Sequence, residues 1–218
     1  MTKLMVCLPG NSFAGLFFDN WIRFTGWCMS NNIELSISRK GGSHVGVVRE
    51  TCLGTRADQS LGDPTRKPWD GKHSDYDYML WVDSDILFTH EHLEKLLSWD
   101  LDIVSGVYRL VDRNCYCVMP RHDDWPVEKM KFIDADEANK AEQKLIEIVQ
   151  GGFGFTLIKK GVFESIPAPW FIGSEYILNG HKRVCTEDIY FFWKAREHGF
   201  RVYADLSCQV GHLKDIIL

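Results

Sequence analysis

The sequence lacks the features that mark membrane-spanning, secreted and nucleic-acid-binding proteins. No run of about 18 uninterrupted apolar residues occurs, so we expect no transmembrane segment. The apolar run at the N-terminus is too short for a signal peptide. The sequence also has no run of basic residues. Its 25 Lys and Arg residues are outnumbered by 30 Asp and Glu residues, which gives a net charge of −5. We therefore expect a soluble protein for which nucleic acid is not a partner.

Cysteine spacing excludes two further classes of protein. The seven cysteines are odd in number and scattered, and only Cys115 and Cys117 lie close together. This pattern fits neither a disulfide framework nor a zinc site with paired C-x-x-C ligands. The cysteines are therefore expected to be reduced and structural, in a cytoplasmic compartment. Internal repeats are also missing, which excludes a repeat protein.

Two glycine-rich stretches fail to match the nucleotide-binding motifs that they suggest. Gly151-Gly152-Phe153-Gly154 precedes a strand-like segment, whereas a dinucleotide fingerprint requires a helix after its glycines. The stretch from Gly10 to Gly15 begins like a P-loop. However, Leu16 and Phe17 stand where Lys and Ser or Thr would hold phosphate and magnesium. We expect neither motif to operate in this protein.

Apolar segments of strand length alternate with segments of helical periodicity along most of the chain. This alternation predicts an α/β fold with a mostly parallel central sheet flanked by helices. We expect residues 1–218 to form one domain. This domain could be one part of a longer protein. Predicted strands cover residues 4–8, 33–38, 78–82, 101–107, 145–150, 153–159 and 201–205. Predicted helices cover residues 13–29, 45–57, 134–144 and 186–198, and a further helix is expected after Thr89 with Leu93, Leu96 and Leu97 toward the core. Residues 58–77 are expected to form a long surface loop.

Asp83-Ser84-Asp85 follows directly on the strongly apolar strand predicted over residues 78–82. Side chains alternate along a strand, so both carboxylates are expected on one face, at the carboxyl end where open α/β sheets bind ligands. Oxygen ligands of this kind suit Mg²⁺ or Mn²⁺ together with substrate phosphates. Capping of the following turn is the alternative interpretation. A calcium loop is excluded, because its sixth position is Phe88 instead of glycine.

Two further groups of residues carry side chains suited to catalysis or metal binding. Glu187 and Asp188 open the helix predicted over residues 186–198, and His212 follows a glycine after the last predicted strand. Acids in a first turn stabilise the positive end of a helix, which is the alternative to a catalytic role. Imidazole is a good ligand for Mn²⁺, although a single histidine is more often an ordinary surface or core residue.

The order of these features along the chain resembles that of GT-A-fold glycosyltransferases. An early strand ends at Leu8-Pro9, a helix carries Arg49, a buried strand ends at Asp83-Ser84-Asp85, a Gly-x-Gly-Phe stretch follows, and Glu187-Asp188 precede a late Gly-His pair. The resemblance spans residues 4–212. Within this class the chain is similar to inverting, family-2-like enzymes, and among them to the N-terminal glycosyltransferase domain of a chlorella-virus protein. If the protein is viral, we expect it to be located in the cytoplasm of the host cell.

The resemblance implies where a nucleotide-sugar donor binds. Donor contacts would come from Leu8, Pro9, Gly10, Ser38, Arg49, Asp83, Ser84 and Asp85. Asp85 and His212 would ligate Mn²⁺ or Mg²⁺, and Asp83 would contact the ribose or the metal. The expected donor is a UDP-sugar. The chain departs from its relatives at Glu50, which follows the helix arginine at a position where they often have asparagine. It also departs from them in the long loop over residues 58–77, which we expect to cover the donor.

The resemblance also implies an inverting displacement. Asp188 would act as the catalytic base that takes the proton of an acceptor hydroxyl as it attacks the sugar. Gly152, Phe153, Gly154, Trp170 and Glu187 would form the acceptor side, with core packing as an equal alternative for the aromatic rings. The expected partners are therefore a nucleotide sugar and a glycan acceptor. A metal-dependent nucleotidyltransferase or phosphohydrolase and a non-catalytic sugar-binding module of the same fold stay open as alternatives.

Overall fold

The structure is a computed structural model that describes residues 1–56, 59–60, 63–111, 113–121, 131–172, 175–178 and 181–214. Its strands are β1 (Thr2–Pro9), β2 (Ile33–Lys40), β3 (Tyr78–Val82), β4 (Ile86–Leu87), β5 (Ile103–Val107), β6 (Val118–Pro120), β7 (Leu145–Gly151), β8 (Phe155–Lys159), β9 (Glu175–Leu178), β10 (His181–Val184), β11 (Tyr203–Gln209) and β12 (Gly211–His212). Its α-helices are α1 (Gly15–Ser30), α2 (Val45–Cys52), α3 (His90–Ser98), α4 (Ala135–Lys140), α5 (Val162–Ser165) and α6 (Glu187–Glu197). Among the described residues, no helix has the length and apolar character needed to cross a membrane.

A central eight-stranded sheet has the strand order β2-β1-β3-β8-β5-β11-β7-β6. β1 pairs in parallel with both β2 and β3, and β5 pairs in parallel with β11. β7 and β8 run in the opposite direction, because their pairs with neighbouring strands are all antiparallel. Six of the eight strands therefore share one direction. The prediction of a mostly parallel central sheet with flanking helices is confirmed.

The strand predicted over residues 78–82 is β3, in the interior of the sheet between β1 and β8. Its residues Met79 to Val82 are fully buried. Trp81 packs against the rings of Phe153 and Phe171, with centroid distances of 5.3 and 5.1 Å. This apolar packing fixes β3 in the sheet, so Asp83 to Asp85 emerge at the edge where the parallel strands end.

The segment after α2 differs from its prediction. Helix α2 ends at Cys52, because the chain turns at Gly54, which has a φ of 86°. The Leu53 carbonyl accepts a hydrogen bond of 2.6 Å from the backbone N–H of Trp69. The predicted helix end at residue 57 and residues 58, 61 and 62 of the predicted surface loop lie outside the described residues. The remainder of that loop includes a 3₁₀ turn, Pro68–Gly71.

A short two-stranded sheet joins the middle of the chain to its C-terminal part. β4 and β12 are antiparallel, with Leu87 opposite Gly211 and Ile86 opposite His212. Neither strand was predicted, because a two-residue strand has no alternation for sequence reasoning to detect. The pairing places His212 beside the residues that follow β3.

Candidate active site

A cleft of about 250 Å³ opens at the carboxyl ends of β1 and β3. Its lining consists of Pro9, Gly10, Gly42, Ser43, Val45, Val48, Asp83, Ser84 and Asp85. The cleft therefore brings together five of the residues predicted to bind a donor. The four residues from the β2–α2 connection and the start of α2 were missed, although loops that follow parallel strands commonly line such sites.

Close backbone approach explains the glycine at position 10. A side-chain carbon at Gly10 would lie 2.6 Å from Cβ of Ser84 and 2.8 Å from its Oγ. The backbone N–H of Gly10 also donates a 2.8 Å hydrogen bond to the Lys40 carbonyl, which fixes the end of β1 against the end of β2. Only glycine allows the β1 loop and the Asp83-Ser84-Asp85 turn to approach this closely.

We expect replacement of Gly10 by alanine to lower the free energy of unfolding by about 1–3 kcal/mol, the usual cost of overpacking a tight contact. Urea denaturation measures this change directly. Gly26→Ala is the matched control, because a side chain there meets nothing within 4 Å and lies in the middle of α1. That control should be neutral or stabilising, by up to about 1 kcal/mol. Equal stability of the Gly10 variant and the native protein would contradict the close approach.

Leu8 and Ser38, two other predicted donor contacts, lie behind the cleft. Leu8 is buried in β1. The hydroxyl of Ser38 donates a 2.7 Å hydrogen bond to the Cys52 carbonyl at the end of α2. Their side chains hold β1, β2 and α2 together, and a contact with a donor stays a prediction for both.

Arg49 links two acidic residues that are far apart in sequence. Its Nη2 donates to both carboxylate oxygens of Asp83 at 2.9 and 2.8 Å, and its Nη1 donates to Oε1 of Glu187 at 2.9 Å. The guanidinium is buried and lies over the rings of Phe153 and Phe171 at 5.0 and 5.9 Å. Arg49 therefore supports the Asp83 wall of the cleft from behind, and its predicted direct contact with the nucleotide is untested.

Charge and burial act in opposite directions at this group of residues. Burial lowers the pKa of Arg49, but the carboxylates of Asp83 and Glu187 outweigh it, and the pKa is raised. Burial raises the pKa of Glu187, helped by Asp188 and Asp83 and opposed by Arg49. Since arginine is protonated throughout the accessible pH range, Asp83 faces a permanent positive charge.

Asp188 differs from its neighbour Glu187 in its surroundings. Its Oδ1 accepts hydrogen bonds from the hydroxyl of Thr186 and, at 2.8 Å, from the backbone N–H of Ile189. The side chain is partly exposed in the first turn of α6, where the helix dipole favours a carboxylate. Of these two acids, Glu187 accepts the hydrogen bond from Arg49, while Asp188 acts on the guanidinium through its charge. The role of Asp188 as a base stays a prediction.

The Asp85 carboxylate and the His212 imidazole meet at the rim of the cleft. Oδ2 of Asp85 lies 3.2 Å from Nε2 of His212. Nδ1 of His212 lies 3.0 Å from the carbonyl oxygen of Arg109. A carbonyl only accepts, so Nδ1 carries a proton and donates it, and Nε2 is the ring nitrogen that faces Asp85. A carboxylate oxygen and an imidazole nitrogen this close together are suited to binding one cation between them.

The donor set fits a divalent cation that shares its ligands with a phosphate. Within the described residues, no three His, Cys, Asp or Glu side chains come together as a ready metal site. Asp83, one of the three predicted ligands, is turned towards Arg49. Asp85 and His212 offer one oxygen and one nitrogen, and the Nδ1 hydrogen bond fixes the ring as second-shell partners of metal sites do. Mg²⁺ and Mn²⁺ commonly bind with few protein ligands and complete their shell with substrate phosphates and water.

Comparison with known proteins identifies the fold that carries this geometry. No family model matches the sequence, and no curated protein matches it. Among solved structures, the catalytic domain of a Drosophila β1,4-galactosyltransferase 7 in complex with xylobiose has a TM-score of 0.52 at 13% identity. The match covers 99% of this chain and 72% of that one. A mutant of the same Drosophila enzyme in complex with manganese, UDP-Gal and xylobiose has a TM-score of 0.51 at 12% identity, with the same coverage.

The chain has a GT-A fold. Identity of 12–13% establishes the architecture and no more. The neighbours are galactosyltransferase domains, so they support the GT-A resemblance without supporting the finer one to a chlorella-virus protein. That resemblance and the family-2-like class stay predictions.

The predicted acceptor side of this GT-A chain is mostly buried. Trp170 is fully buried and its Nε1 donates to the Ile166 carbonyl at 2.9 Å, and Phe153 is 1% exposed among other rings. Both rings are part of the core, which is the alternative to acceptor binding that the sequence left open. Side chains at Gly152 and Gly154 would collide with the ring of Tyr108, which explains these glycines without a ligand. A role in acceptor binding is untested for these residues.

Tyr108 is a site residue that sequence reasoning missed. Its ring lies 4.8 Å from that of His212, between the histidine and the turn that contains Gly152 and Gly154. Burial raises its pKa well above the ordinary value, with Cys117 and Asp83 adding to the effect. Tyr108 directly follows β5, whose carboxyl end lies at the same edge of the sheet as that of β3. The rule that located Asp83 would also have found it.

Glu50, the departure noted beside Arg49, is a buried anchor of the site. Its side chain is 0% exposed, and its Oε1 accepts from the backbone N–H groups of Trp170 and Phe171 at 2.5 and 2.7 Å. Its Oε2 accepts from Arg66 at 2.9 Å. A carboxylate at this position therefore holds three segments together: α2, the 170–171 segment and the loop that carries Arg66.

Proposed function

We propose that the protein is a metal-dependent inverting glycosyltransferase that transfers a sugar from a nucleoside-diphosphate sugar to a hydroxyl group of a glycan acceptor. The observation that carries the proposal is the 3.2 Å approach of Asp85 and His212 at the rim of a cleft lined by Pro9, Gly10 and Asp83. The solved neighbours, among them a complex with manganese, UDP-Gal and xylobiose, support a UDP-sugar as donor. A hexosyl donor follows from the same likeness.

Donor binding would use the cleft and both of its walls. The nucleoside would lie along Pro9 and Gly10, where the missing side chain of Gly10 exposes backbone to the cleft. Val45 and Val48 give the other wall an apolar lining, which suits a base or ribose face. Asp83, held by Arg49 from behind, would accept hydrogen bonds from ribose hydroxyls without a change of rotamer. Preorganised acceptors of this kind lose little entropy when they bind a ligand.

Chemistry would take place between Asp85 and Asp188. Asp85 and His212 would hold Mn²⁺ or Mg²⁺, which as a Lewis acid supplies stabilisation for the negative charge on the departing diphosphate. Asp188 would accept the proton of the acceptor hydroxyl, because it is a partly exposed carboxylate not paired with Arg49. Glu187 would keep Arg49 in place. One displacement of this kind inverts the anomeric carbon.

A thermal-shift series tests the donor site. We expect UDP with Mn²⁺ to raise the melting temperature by about 5–10 °C when the ligand is present at about 100 times its Kd, since binding then adds about 2.7 kcal/mol of stability. GDP- and dTDP-sugars should raise it less than UDP-sugars. Asp85→Asn should remove the effect of Mn²⁺.

Asp75→Asn is the control for this series, because Asp75 pairs with Lys3 and lies on the surface, where its side chain is 82% exposed. It should respond to UDP and Mn²⁺ like the native protein. Failure of every nucleotide sugar to shift the melting temperature, with or without Mn²⁺, would contradict the proposed function. Release of phosphate or pyrophosphate in place of sugar transfer would favour a phosphohydrolase or nucleotidyltransferase. Binding without any turnover would favour a sugar-binding module.

A further inference from the structure

Lys214 reaches the carboxylate that we propose as a metal ligand. Its Nζ lies 2.6 Å from Oδ2 of Asp85, the same oxygen that faces Nε2 of His212. The backbone N–H of Leu213 donates to the Asp85 carbonyl at 2.7 Å, so residues 212–214 are all held against Asp85. Sequence reasoning gave Lys214 no role.

The position of the ammonium group has an electrostatic consequence. The Asp85 carboxylate attracts a cation, and the Lys214 ammonium supplies one. A divalent cation bound to Asp85 and His212 would lie within a few ångströms of Nζ. Like charges at that distance repel strongly, so the ammonium and the metal compete for Oδ2.

Lys214 is also placed to bind a phosphate once it leaves Asp85. Its side chain is 40% exposed, which leaves its flexible four-carbon stem room to move, and its backbone stays fixed through Leu213. A nucleoside diphosphate that shares the metal brings negative charge next to the vacated ammonium. Lysine is a common phosphate ligand because its charge is compact and its donors rotate freely.

We propose that Lys214 occupies Asp85 in the metal-free protein, is displaced by the divalent cation, and then binds the diphosphate of the donor. Lys214 thereby makes metal binding weaker in the absence of nucleotide and nucleotide binding tighter in the presence of metal. The metal and the donor are thus favoured to bind together. This inference rests on the proposed function, because it takes the nucleoside diphosphate as the ligand.

The test measures two affinities in Lys214→Met, which keeps the length of the side chain and removes its charge. Titration calorimetry with MnCl₂ alone should show Mn²⁺ binding about 3–10-fold tighter than in the native protein, because the competing ammonium is gone. Titration with UDP at saturating Mn²⁺ should show binding about 10-fold weaker, because a charge-assisted hydrogen bond to phosphate is lost. Lys214→Arg should restore UDP binding to within a few-fold of the native value.

Lys159→Met is the matched control, since Lys159 pairs with Asp100 at 2.7 Å and is 37% exposed, on a strand remote from Asp85 in sequence. It removes the same charge and should change neither affinity. A Lys214→Met protein with unchanged Mn²⁺ affinity would overturn the displacement, and unchanged UDP affinity would overturn the diphosphate contact. A native protein that binds neither Mn²⁺ nor UDP would overturn the proposed function itself. Native binding of both ligands with no response to Lys214→Met would overturn only the present inference.

Discussion

Replacement of Asp188 by asparagine is expected to lower the rate of sugar transfer by about 10²–10⁴-fold, the usual contribution of a general base. The amide keeps the shape of the side chain and can still accept from the backbone N–H of Ile189, but it cannot take a proton from an acceptor hydroxyl. Donor binding should survive, because Asp188 is separate from the Asp85–His212 pair. The rate is measured as UDP released from the UDP-sugar in the presence of acceptor, and the binding as the UDP-induced thermal shift.

The control for this variant is Asp136→Asn, which removes an acid from the first turn of another helix, α4. It should leave transfer unchanged and separate the loss of a helix-dipole interaction, worth about 0.3–1 kcal/mol, from the loss of a base. Transfer by Asp188→Asn at the native rate would exclude Asp188 as the base. Glu187 would then be the next acid to replace, although its contact with Arg49 makes it a poorer candidate.

Replacement of Glu50 by alanine is expected to lower the free energy of unfolding by about 3–5 kcal/mol, the cost of breaking a buried ion pair by removing one partner. Two backbone N–H groups at Trp170 and Phe171 lose their acceptor, and the Arg66 guanidinium loses its carboxylate. For a chain of this size the melting temperature should fall by about 6–20 °C. Thermal unfolding followed by circular dichroism measures the change.

Glu34→Ala provides the comparison, because Glu34 is an exposed residue on the edge strand β2 and its loss should cost less than about 0.5 kcal/mol. A second variant, Glu50→Gln, keeps the volume and one acceptor oxygen and should be less damaging than alanine. If Glu50→Ala unfolds at the native temperature, the hydrogen bonds to the 170–171 segment do not hold the site together.

The fold was predictable because its strongest signals are local. The unbroken apolar run of β3 and the helix α6, which follows Thr186 with two acids in its first turn, both fall where the sequence indicates them, since an interior strand and a helix start carry local signals. The early end of α2 was missed, although Gly54 is a local stop signal at that point. The hydrogen bond from Trp69 to the Leu53 carbonyl was not predictable, because the local sequence does not encode the path of the loop that carries Trp69.

Five of the nine residues that line the cleft were predictable from the sequence, but their arrangement was not. Position at the carboxyl end of a parallel strand identifies Asp83 and Asp85. It does not reveal that Asp83 pairs with Arg49 while Asp85 meets His212. That division depends on contacts across 34 residues in one case and on the two-residue strands β4 and β12 in the other. The burial of Glu50 could not be predicted from the sequence either, because its hydrogen-bond partners belong to distant segments.

The place of β11 in the sheet sets the order in which this chain can finish folding. β11 is the last strand of the central sheet along the chain, yet it lies between β5 and β7 in the interior. While the chain emerges from a ribosome, β6 and β7 can pair with each other, but β7 joins the rest of the sheet by strand pairing only through β11, residues 203–209. Insertion of β11 between the edge strands β5 and β7 requires contacts between residues that are far apart in sequence, and such contacts slow folding. The residues proposed to bind the donor are therefore synthesised early, and Asp85 meets His212 only after the final strands have formed.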